Sequence, residues 1–433
     1  MGLGMFDIWL DYHVSILCLV AVIFCLWQTW FLKKDFFNPT NIYVFAQCFT
    51  LGIAYLKLEP TMTDFKFNTW IVWGGALYAF ILGSSVYYLV NTGKTVPYVY
   101  TDVLDRYDWN RHFWISLILM ALFLAGAASM IAKVGTLIIF ADDVTRWVNS
   151  NVNYGLFTNV AVAASPLVVL FFMVSAFKSV NPNRGMRWFA TITSFILIVF
   201  TVCVYPSRTS LFLSLCFILI LFNFLKRRIP VWLIVCALMV AFALFITVAL
   251  FRAQYGTNSI EGLAAKTAVS VPYRYVANNY WNLDYMLNSP PDLERHPCTY
   301  GVDAFYGVLE YTQLPGAIRT SMGWDGMFNE SVMKMYGYNT TGYLWEVYKD
   351  WGLIGTVLFP FFVSFFMTHL FERMKMARSP RLWMLYTMFL YYIGWWFFLA
   401  GYKFGTFWLW VYIILIATKL CEKKRVVNAS GNR

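Results

Sequence analysis

The segment that decides the fold runs from Phe251-Arg252-Ala253-Gln254-Tyr255-Gly256 to Asp350-Trp351-Gly352. It is the only long polar interruption in a chain of apolar runs, and a spanning helix needs about 20 mostly apolar residues. The sequence therefore predicts three parts. Residues 1–250 carry the first eight transmembrane helices. Residues 251–350 form one large, mostly helical periplasmic loop that acts as a lid and sugar platform, and residues 351–433 add three helices and a cytoplasmic tail.

The composition predicts an all-α polytopic integral membrane protein. Apolar residues make up 60% of the 433 and charged residues 13%, whereas soluble domains carry about 25% charged residues. About eleven segments are apolar enough to cross a membrane. They are 14–32, 40–56, 70–90, 113–132, 155–177, 188–204, 211–225, 231–250, 353–371, 382–398 and 406–420.

The distribution of basic residues predicts the orientation, because Lys and Arg collect in cytoplasmic loops. With the N-terminus in the periplasm, most of the 33 Lys and Arg residues fall on the cytoplasmic side. The run Lys226-Arg227-Arg228 is one example. This orientation puts the C-terminus in the cytoplasm and residues 251–350 in the periplasm. The net charge of +11 then indicates contact with anionic membrane lipids and not with nucleic acid.

Several kinds of chemistry have no support in the sequence. There is no HExxH, CxxC pair, GxSxG or glycine-rich phosphate loop, and only Cys298 of the eight cysteines lies in the long loop. We therefore expect no metal site, no cofactor and no disulfide framework. Residues 133–154 hold too few apolar residues to span the membrane and predict a re-entrant or interfacial segment.

An aromatic and polar stretch occupies the first half of the long loop. Residues 271–285 read Val-Pro-Tyr-Arg-Tyr-Val-Ala-Asn-Asn-Tyr-Trp-Asn-Leu-Asp-Tyr, with Tyr280 and Trp281 at the centre. Sugar binding uses this mixture, since flat rings cover the C–H face of a pyranose while amides and carboxylates bind its hydroxyls. An aromatic belt that anchors an interfacial helix would have the same composition. On composition alone, the aromatic belt is the favoured interpretation.

Four arginines are candidate phosphate ligands. Arg208 lies in the short turn Tyr205-Pro206-Ser207-Arg208-Thr209-Ser210, and Arg252 directly follows a predicted span. A guanidinium can bind two phosphate oxygens at once, and amides at a helix start add donors. An arginine at the outer end of a membrane span could equally extend its side chain to the outer lipid headgroups. Arg274 and Arg319 are further candidates, although each could be an ordinary solvated loop residue.

The end of the long loop resembles a helix start that runs into the next span. At helical spacing Asn339, Tyr343, Glu346 and Asp350 share one face, with Asn339 or Thr340 as the cap. The two carboxylates are candidates for a general base or a ligand of an acceptor hydroxyl, and ordinary capping is the alternative. His296, the only histidine in the loop, is a further candidate base. Gly352 and Gly355 would let another helix approach closely.

Taken together these features resemble the oligosaccharide repeat-unit polymerases, the Wzy-type O-antigen polymerases of bacteria. The resemblance covers the layout of most of the chain, with many spans and one large late loop. Its motifs are Phe36-Phe37-Asn38-Pro39, Arg208-Thr209-Ser210-Leu211, Tyr275-Val276-Ala277-Asn278-Asn279 followed by Leu283-Asp284, Tyr300-Gly301, Pro315, and Asn339-Thr340-Thr341 followed by Tyr348-Lys349-Asp350-Trp351-Gly352-Leu353-Ile354-Gly355.

The resemblance implies a GT-C-like glycosyltransferase of the bacterial inner membrane that acts on its periplasmic face without a metal. It would transfer a growing glycan from an undecaprenyl-diphosphate carrier to the non-reducing end of a new carrier-linked repeat unit. Arg208 and Arg252, then Arg274 and Arg319, would hold the donor diphosphate. The other implied site residues are Asp350, Glu346 and His296 for acceptor activation and Asn339, Tyr343, Tyr280 and Trp281 for substrate binding. A chain-length-regulating co-polymerase (Wzz-type) would be a partner.

Two other functions are alternatives. An O-antigen ligase would use the same donor and layout but transfer the glycan to lipid A-core, and His296 is the histidine that such a reaction could use. A transporter or flippase for the lipid-linked glycan would bind its substrate near the bilayer midplane, with broken helices and charged residues inside the spans. The predicted spans hold almost no charges, and the polar residues collect outside them.

Overall fold

The computed structural model describes most of the chain, and its described part is helical. The described residues are 2–32, 35–58, 64–92, 104–137, 155–204, 208–236, 239, 243, 260–288, 301, 306–308, 340 and 342–423. Within these ranges no strand occurs, and the β-type pairing is confined to an isolated antiparallel bridge between Tyr107 and Glu422. The all-α prediction is thus confirmed for the described part of the chain.

The helices follow the predicted apolar segments closely. In chain order they are α1 (Gly2–Phe31), α2 (Pro39–Ala54), α3 (Phe67–Asn91), α4 (Trp109–Val134), α5 (Leu156–Ala163), α6 (Ser165–Ser175), α7 (Arg184–Val204), α8 (Arg208–Leu225), α9 (Ile260–Asn288), α10 (Gly342–Met376), α11 (Pro380–Gly394) and α12 (Gly405–Cys421). Proline and capping hydrogen bonds determine where some of these helices begin. Pro39 opens α2 while the Asn38 side chain accepts from the Thr40 N–H, and Asp108 caps α4 through the N–H groups of Asn110 and Arg111.

Six of the described helical stretches are long and apolar enough to cross a membrane. They are Tyr12–Phe31, Phe67–Asn91, Trp109–Val134, Leu156–Ser175, Arg184–Val204 and Gly342–Met376, and two shorter apolar helices are Ser210–Leu225 and Gly405–Cys421. This supports a polytopic membrane protein, while the count of eleven spans and the orientation stay predictions. Most of the predicted span 231–250 lies outside the described residues.

One predicted span, 155–177, is divided into α5 and α6 at Ala164. Pro166 lies in the first turn of α6, where its missing N–H breaks the hydrogen bonding of a continuous helix. All eleven residues of α6 are buried. Because every one of its residues is buried, α6 lies at the centre of its part of the fold, in contact with α4, α7 and α8.

The chain divides into two compact units. The first unit comprises Met1–Lys94, Ile229–Phe371 and Phe389–Trp408, and the second comprises Thr95–Arg228, Glu372–Met388 and Leu409–Arg433. In the second unit, His112 of α4 is fully buried and its Nε2 lies 2.9 Å from the carbonyl oxygen of Phe171 on α6. The Asp108 N–H donates to the Cys421 carbonyl oxygen at 2.8 Å. This hydrogen bond connects the start of α4 with the end of α12.

In the first unit, α9 is attached to α2 and α3 by polar side chains on one of its faces. The Tyr273 hydroxyl donates to the Ala54 carbonyl oxygen and accepts from the Leu58 N–H, both at 3.0 Å. Seven residues on, the Tyr280 hydroxyl lies 2.7 Å from Thr50 Oγ1. Four residues further, Asp284 Oδ1 accepts hydrogen bonds from the start of α3. Within the long loop, α9 is therefore a helix docked on α2 and α3.

A kink divides α10 at Gly352, whose φ of 62° and ψ of −154° lie outside the helical region. This positive φ favours glycine. A side chain at Gly355 would come within 2.6 Å of Trp351 Cβ and 3.0 Å of the Val347 carbonyl oxygen. At Gly355 the nearest atoms thus belong to the preceding part of the same helix, while the approach of another helix at Gly352 stays a prediction. The two glycines accommodate a bend between consecutive turns of their own helix, near the beginning of its apolar part.

Gly83 provides a test of the packing between α3 and α10. A methyl group there would overlap the backbone carbonyl of Phe361, whereas Gly74 on the same helix has no atom within 4 Å of that position. Gly83→Ala should destabilise the protein, because overpacking costs about 1–3 kcal/mol. Gly74→Ala should be neutral or stabilising, since alanine is favoured over glycine in helices by about 1 kcal/mol. Thermal melting in detergent compares them, and equal melting temperatures would contradict the packing.

Candidate functional site

A small cavity in the first unit collects residues from α2, α9, the start of α10 and the turn after α11. Its enclosed space is close to that of one water molecule. The residues that line it are Gln47, Asn279, Tyr280, Leu283, Gly342, Tyr343, Leu344, Trp396 and Phe397. Amides, aromatic rings and leucines thus face the same space.

The aromatic side of the cavity is rigid because its rings contact one another and the backbone. The Tyr343 ring stacks on Trp396 with centroids 4.3 Å apart, and its hydroxyl lies 2.5 Å from that of Tyr43. Tyr43 in turn stacks on Phe80 of α3 at 3.9 Å. The Tyr343 N–H donates to the Trp396 carbonyl oxygen at 2.9 Å. These contacts fix the start of α10 against α2 and the turn.

Gly342, the first residue of α10, lets the chain pass close to that turn. Its φ is +70°, and a side chain there would come within 2.7 Å of the Phe397 carbonyl oxygen. Just before it, the Thr340 carbonyl oxygen accepts from Asn282 Nδ2 of α9 at 2.8 Å. The beginning of α10 is therefore held from both sides of the cavity.

Two amide atoms at the cavity have no hydrogen-bond partner. They are Nε2 of Gln47 and Oδ1 of Asn279, in side chains that are each 2% exposed. The other atom of each amide is engaged, since Tyr280 donates to Gln47 Oε1 at 3.3 Å and Asn279 Nδ2 donates to the Tyr275 carbonyl oxygen at 2.6 Å. Buried polar atoms are nearly always paired. Gln47 and Asn279 share this state with other buried side chains, among them Asn278 and Trp281 of α9.

One helical turn beyond Tyr343, a buried ion cluster surrounds Glu346. Lys349 Nζ lies 3.0 Å from Oε2 of Glu346, and Lys403 Nζ lies 3.0 Å from its Oε1. The Glu346 side chain is 11% exposed, that of Lys349 9% and that of Lys403 24%. Because each carboxylate oxygen already faces an ammonium group, this geometry suits a counter-charge for two lysines better than a free base. Asp350, one turn further, is 1% exposed.

The structure brings together some of the predicted site residues. Tyr280 and Tyr343 both line the cavity, and Glu346 and Asp350 lie beyond it on α10. Trp281 is buried beside Phe65, with ring centroids 4.7 Å apart. Tyr280 and Trp281 are 3% and 4% exposed, which places them inside the protein and not in a lipid-facing belt.

Most of the predicted phosphate ligands lie outside the described part of the chain, so their assembly stays a prediction. Arg274 lies on the exposed side of α9, and Arg208 begins α8 in the second unit, where its side chain is outside the described part. Arg252, His296, Arg319 and Asn339 also lie outside the described residues. Among the described residues, no group of three His, Cys, Asp or Glu side chains could hold a metal ion.

Sequence reasoning missed Gln47, Lys349 and Lys403. Gln47 carried a usable signal, because a polar residue inside an apolar span is expensive and is often functional. Lys349 and Lys403 looked like ordinary loop charges. Lys349 lies three residues after Glu346, a spacing from which the pair could have been predicted. The pairing of Lys403 with Glu346 depends on a contact across 57 residues, which spacing alone does not reveal.

The ion cluster predicts a stability effect for Glu346→Gln. Breaking a buried ion pair costs about 3–5 kcal/mol, so the variant should melt well below the wild type. Adding Lys403→Met should recover part of the loss, because it removes one of the ammonium groups that Glu346 neutralises. Thermal melting of the single and double variants measures this coupling. An unchanged melting temperature for Glu346→Gln would mean that the carboxylate has no structural role.

The chain was also compared with family models, curated proteins and solved structures. None of the family models, curated proteins or solved structures matches it. The resemblance to repeat-unit polymerases therefore rests on the motifs and layout described above.

Proposed function

We propose that the protein is a glycosyltransferase that polymerises lipid-linked oligosaccharide repeat units of a surface glycan such as O-antigen. It would act at the periplasmic face of the bacterial inner membrane, with an undecaprenyl-diphosphate-linked glycan as donor and a carrier-linked repeat unit as acceptor. The observation that carries the proposal is the gathering of aromatic rings, amides and the Glu346–Lys349–Lys403 ion cluster around the start of α10. Aromatic rings and amides are the groups that bind sugars.

The burial of the aromatic residues supports sugar binding over membrane anchoring. A belt residue places its ring at the level of the lipid headgroups. Tyr280 instead lines the cavity and contacts Thr50 on α2. Tyr343 and Trp396, also at the cavity, stack on each other. Rings held in this way offer a preformed surface, which lowers the entropic cost of binding a flexible glycan.

Cations beside the cavity support a diphosphate-linked donor. Lys349 and Lys403 are held within 3.0 Å of the same carboxylate, and we propose that they add positive charge to that of the predicted ligands Arg208, Arg252, Arg274 and Arg319. A diphosphate leaving group gains negative charge as its bond to the sugar breaks. Positioned cations stabilise that charge in the transition state.

In the proposed reaction, the acceptor hydroxyl oxygen forms a bond to the anomeric carbon of the donor glycan. The bond from that carbon to the diphosphate oxygen breaks, and the carrier diphosphate leaves with the electron pair. The hydroxyl proton passes to a general base. We assign this role to Asp350, which is buried one turn after Glu346 on α10. His296 is the further candidate.

The geometry of α10 favours an enzyme over a transporter. Transporters bind substrate at interrupted helices near the bilayer midplane. The kink of α10 lies at Gly352, ten residues after the helix begins at Gly342 and before its long apolar part. The site residues Tyr343, Glu346 and Asp350 all precede this kink. The polar groups thus collect at one end of the span and not at its middle.

Deleting the gene in its host tests the proposed reaction. A polymerase deletion should leave lipid A-core with a single repeat unit, whereas deletion of a ligase should leave none. Electrophoresis of the lipopolysaccharide distinguishes these products. Polymer of normal length and amount in the deletion strain would contradict both reactions and would favour a transporter or another role.

Asp350→Asn tests the proposed general base. It should abolish polymer in the complemented deletion strain, because an amide cannot take up the hydroxyl proton. Asp64→Asn is the matched control on the exposed segment before α3, where the Asp64 side chain is 72% exposed. The Lys57 ammonium and the Tyr55 hydroxyl lower the pKa of Asp64, and its role there is a surface ion pair. Normal polymer from an Asp350→Asn protein present at wild-type level would contradict the assignment.

The predicted diphosphate ligands have a separate test. Arg208→Ala or Arg252→Ala should abolish polymer while the protein stays at its normal level in the membrane, because the donor loses a bidentate cation. Gel analysis of the glycan and immunoblotting of membranes give both readouts. Unchanged polymer length and yield would contradict a phosphate role for these arginines.

A further inference from the structure

We propose that one end of the second unit binds a cardiolipin-type phospholipid, whose headgroup carries two phosphates. The binding surface comprises the turn between α6 and α7 and the turn that follows α8, and we call it the basic patch. Its cations are Lys178, Arg184, Arg187, Lys226, Arg227 and Arg228. The inference goes beyond the proposed reaction and does not depend on it.

Contacts between the ends of α6 and α8 bring the two turns together. The Ser179 hydroxyl donates to the Leu225 carbonyl oxygen at the end of α8. The rings of Phe177 and Phe222 meet edge to face, with centroids 6.4 Å apart, and pack the same turn against the last turn of α8. The hydrogen bond joins residues that directly adjoin cations of the patch, so the two turns present their charges on one surface.

The basic patch is exposed, and its part of the sequence has no acidic residue. Five of its cations are exposed, and Arg187 is half-buried. No Asp or Glu occurs between residues 144 and 260. Ion pairs in the second unit engage cations outside the patch, namely Arg111, Lys375, Arg381 and Lys419. Among the described residues, none of the carboxylates pairs with Lys178, Arg184, Lys226 or Arg227. The patch therefore offers its charge to an external anion.

Each turn has one cation that the protein holds in place. One guanidinium nitrogen of Arg187 donates to the carbonyl oxygens of Asn181 and Pro182, at 2.8 and 2.7 Å. A guanidinium has N–H donors on three nitrogens, so Arg187 retains donors for a phosphate. In the other turn, the Lys226 ammonium lies 5.0 Å from the centroid of the Phe222 ring. One positioned cation in each turn, with adaptable cations beside it, suits one phosphate per turn.

The exposed face of α7 favours a lipid over an acidic protein or RNA. Directly after Arg187, Trp188 and Phe189 are exposed, and tryptophan in membrane proteins concentrates at the level of the headgroups. At helical spacing the same face continues with exposed apolar side chains, which are Ile192, Phe195, Ile196 and Val199. A phospholipid contacts both parts, with its phosphates at the basic patch and its acyl chains along α7. A soluble polyanion would contact the patch alone.

Native mass spectrometry of the purified full-length protein in detergent tests this inference. Cardiolipin is compared with phosphatidylglycerol at twice its concentration, so that both lipids supply the same amount of phosphate. We expect cardiolipin to bind about tenfold or more tightly, because one molecule reaches both turns at once. Equal affinity for the two lipids would overturn the two-phosphate headgroup. Retention of polyglutamate or a short RNA in place of cardiolipin would overturn the assignment to a lipid.

A triple variant locates the site. Lys226→Gln, Arg227→Gln and Arg228→Gln together should lower the affinity for cardiolipin about tenfold or more, because each basic residue near lipid phosphates adds to binding. The matched control removes the same charge at exposed positions outside the patch and should leave the affinity unchanged. It combines Lys375→Gln, Lys419→Gln and Lys423→Gln. If the patch variant does not fold, the comparison of lipids on the wild-type protein still decides the question. Equal losses in both triple variants would overturn the patch.

Discussion

The fold of the first unit depends on the polar face of α9. Tyr273, Tyr280 and Asp284 recur at intervals of seven and four residues, which puts them on one side of the helix. Each reaches a different partner: the C-terminal end of α2, the middle of α2 and the N-terminal end of α3. Buried polar groups are costly unless they are hydrogen-bonded, so these contacts fix both the depth and the rotation of α9. Any other register would leave them unpaired.

The position of α9 determines where the cavity forms. Asn282 on the same helix binds the Thr340 carbonyl oxygen and so brings the chain to the start of α10. There Gly342 passes close to Phe397, and Tyr343 stacks on Trp396. Because four segments far apart in sequence meet at this point, the cavity is a product of tertiary structure. The Glu346 cluster extends the same arrangement, since Lys403 arrives from the turn that follows α11.

Much of the fold follows from the sequence, but less of the site does. The apolar runs located the helices to within a few residues in most cases, since burial in lipid or protein requires that pattern. The break at Ala164 and the complete burial of α6 were missed, because length and apolarity do not distinguish a lipid-facing helix from a core helix. Tyr280 and Tyr343 were found by residue type. Their meeting at a cavity, and the pairing of Glu346 with Lys403, required contacts across 57 residues or more.

The polar side chains of α9 and its neighbours differ in whether all of their polar atoms are hydrogen-bonded. Along α9, Tyr273 and Asp284 each make two or more hydrogen bonds, so the sequence is able to satisfy buried polar groups in this region. Gln47 and Asn279 are each 2% exposed, and each has a side-chain atom without a partner, as do Asn278 and Trp281 of α9. An apolar residue at any of these positions would have avoided the cost of about 1–3 kcal/mol for an unpaired polar group. Buried polar groups that retain this cost require an explanation beyond packing, which makes them targets for mutagenesis.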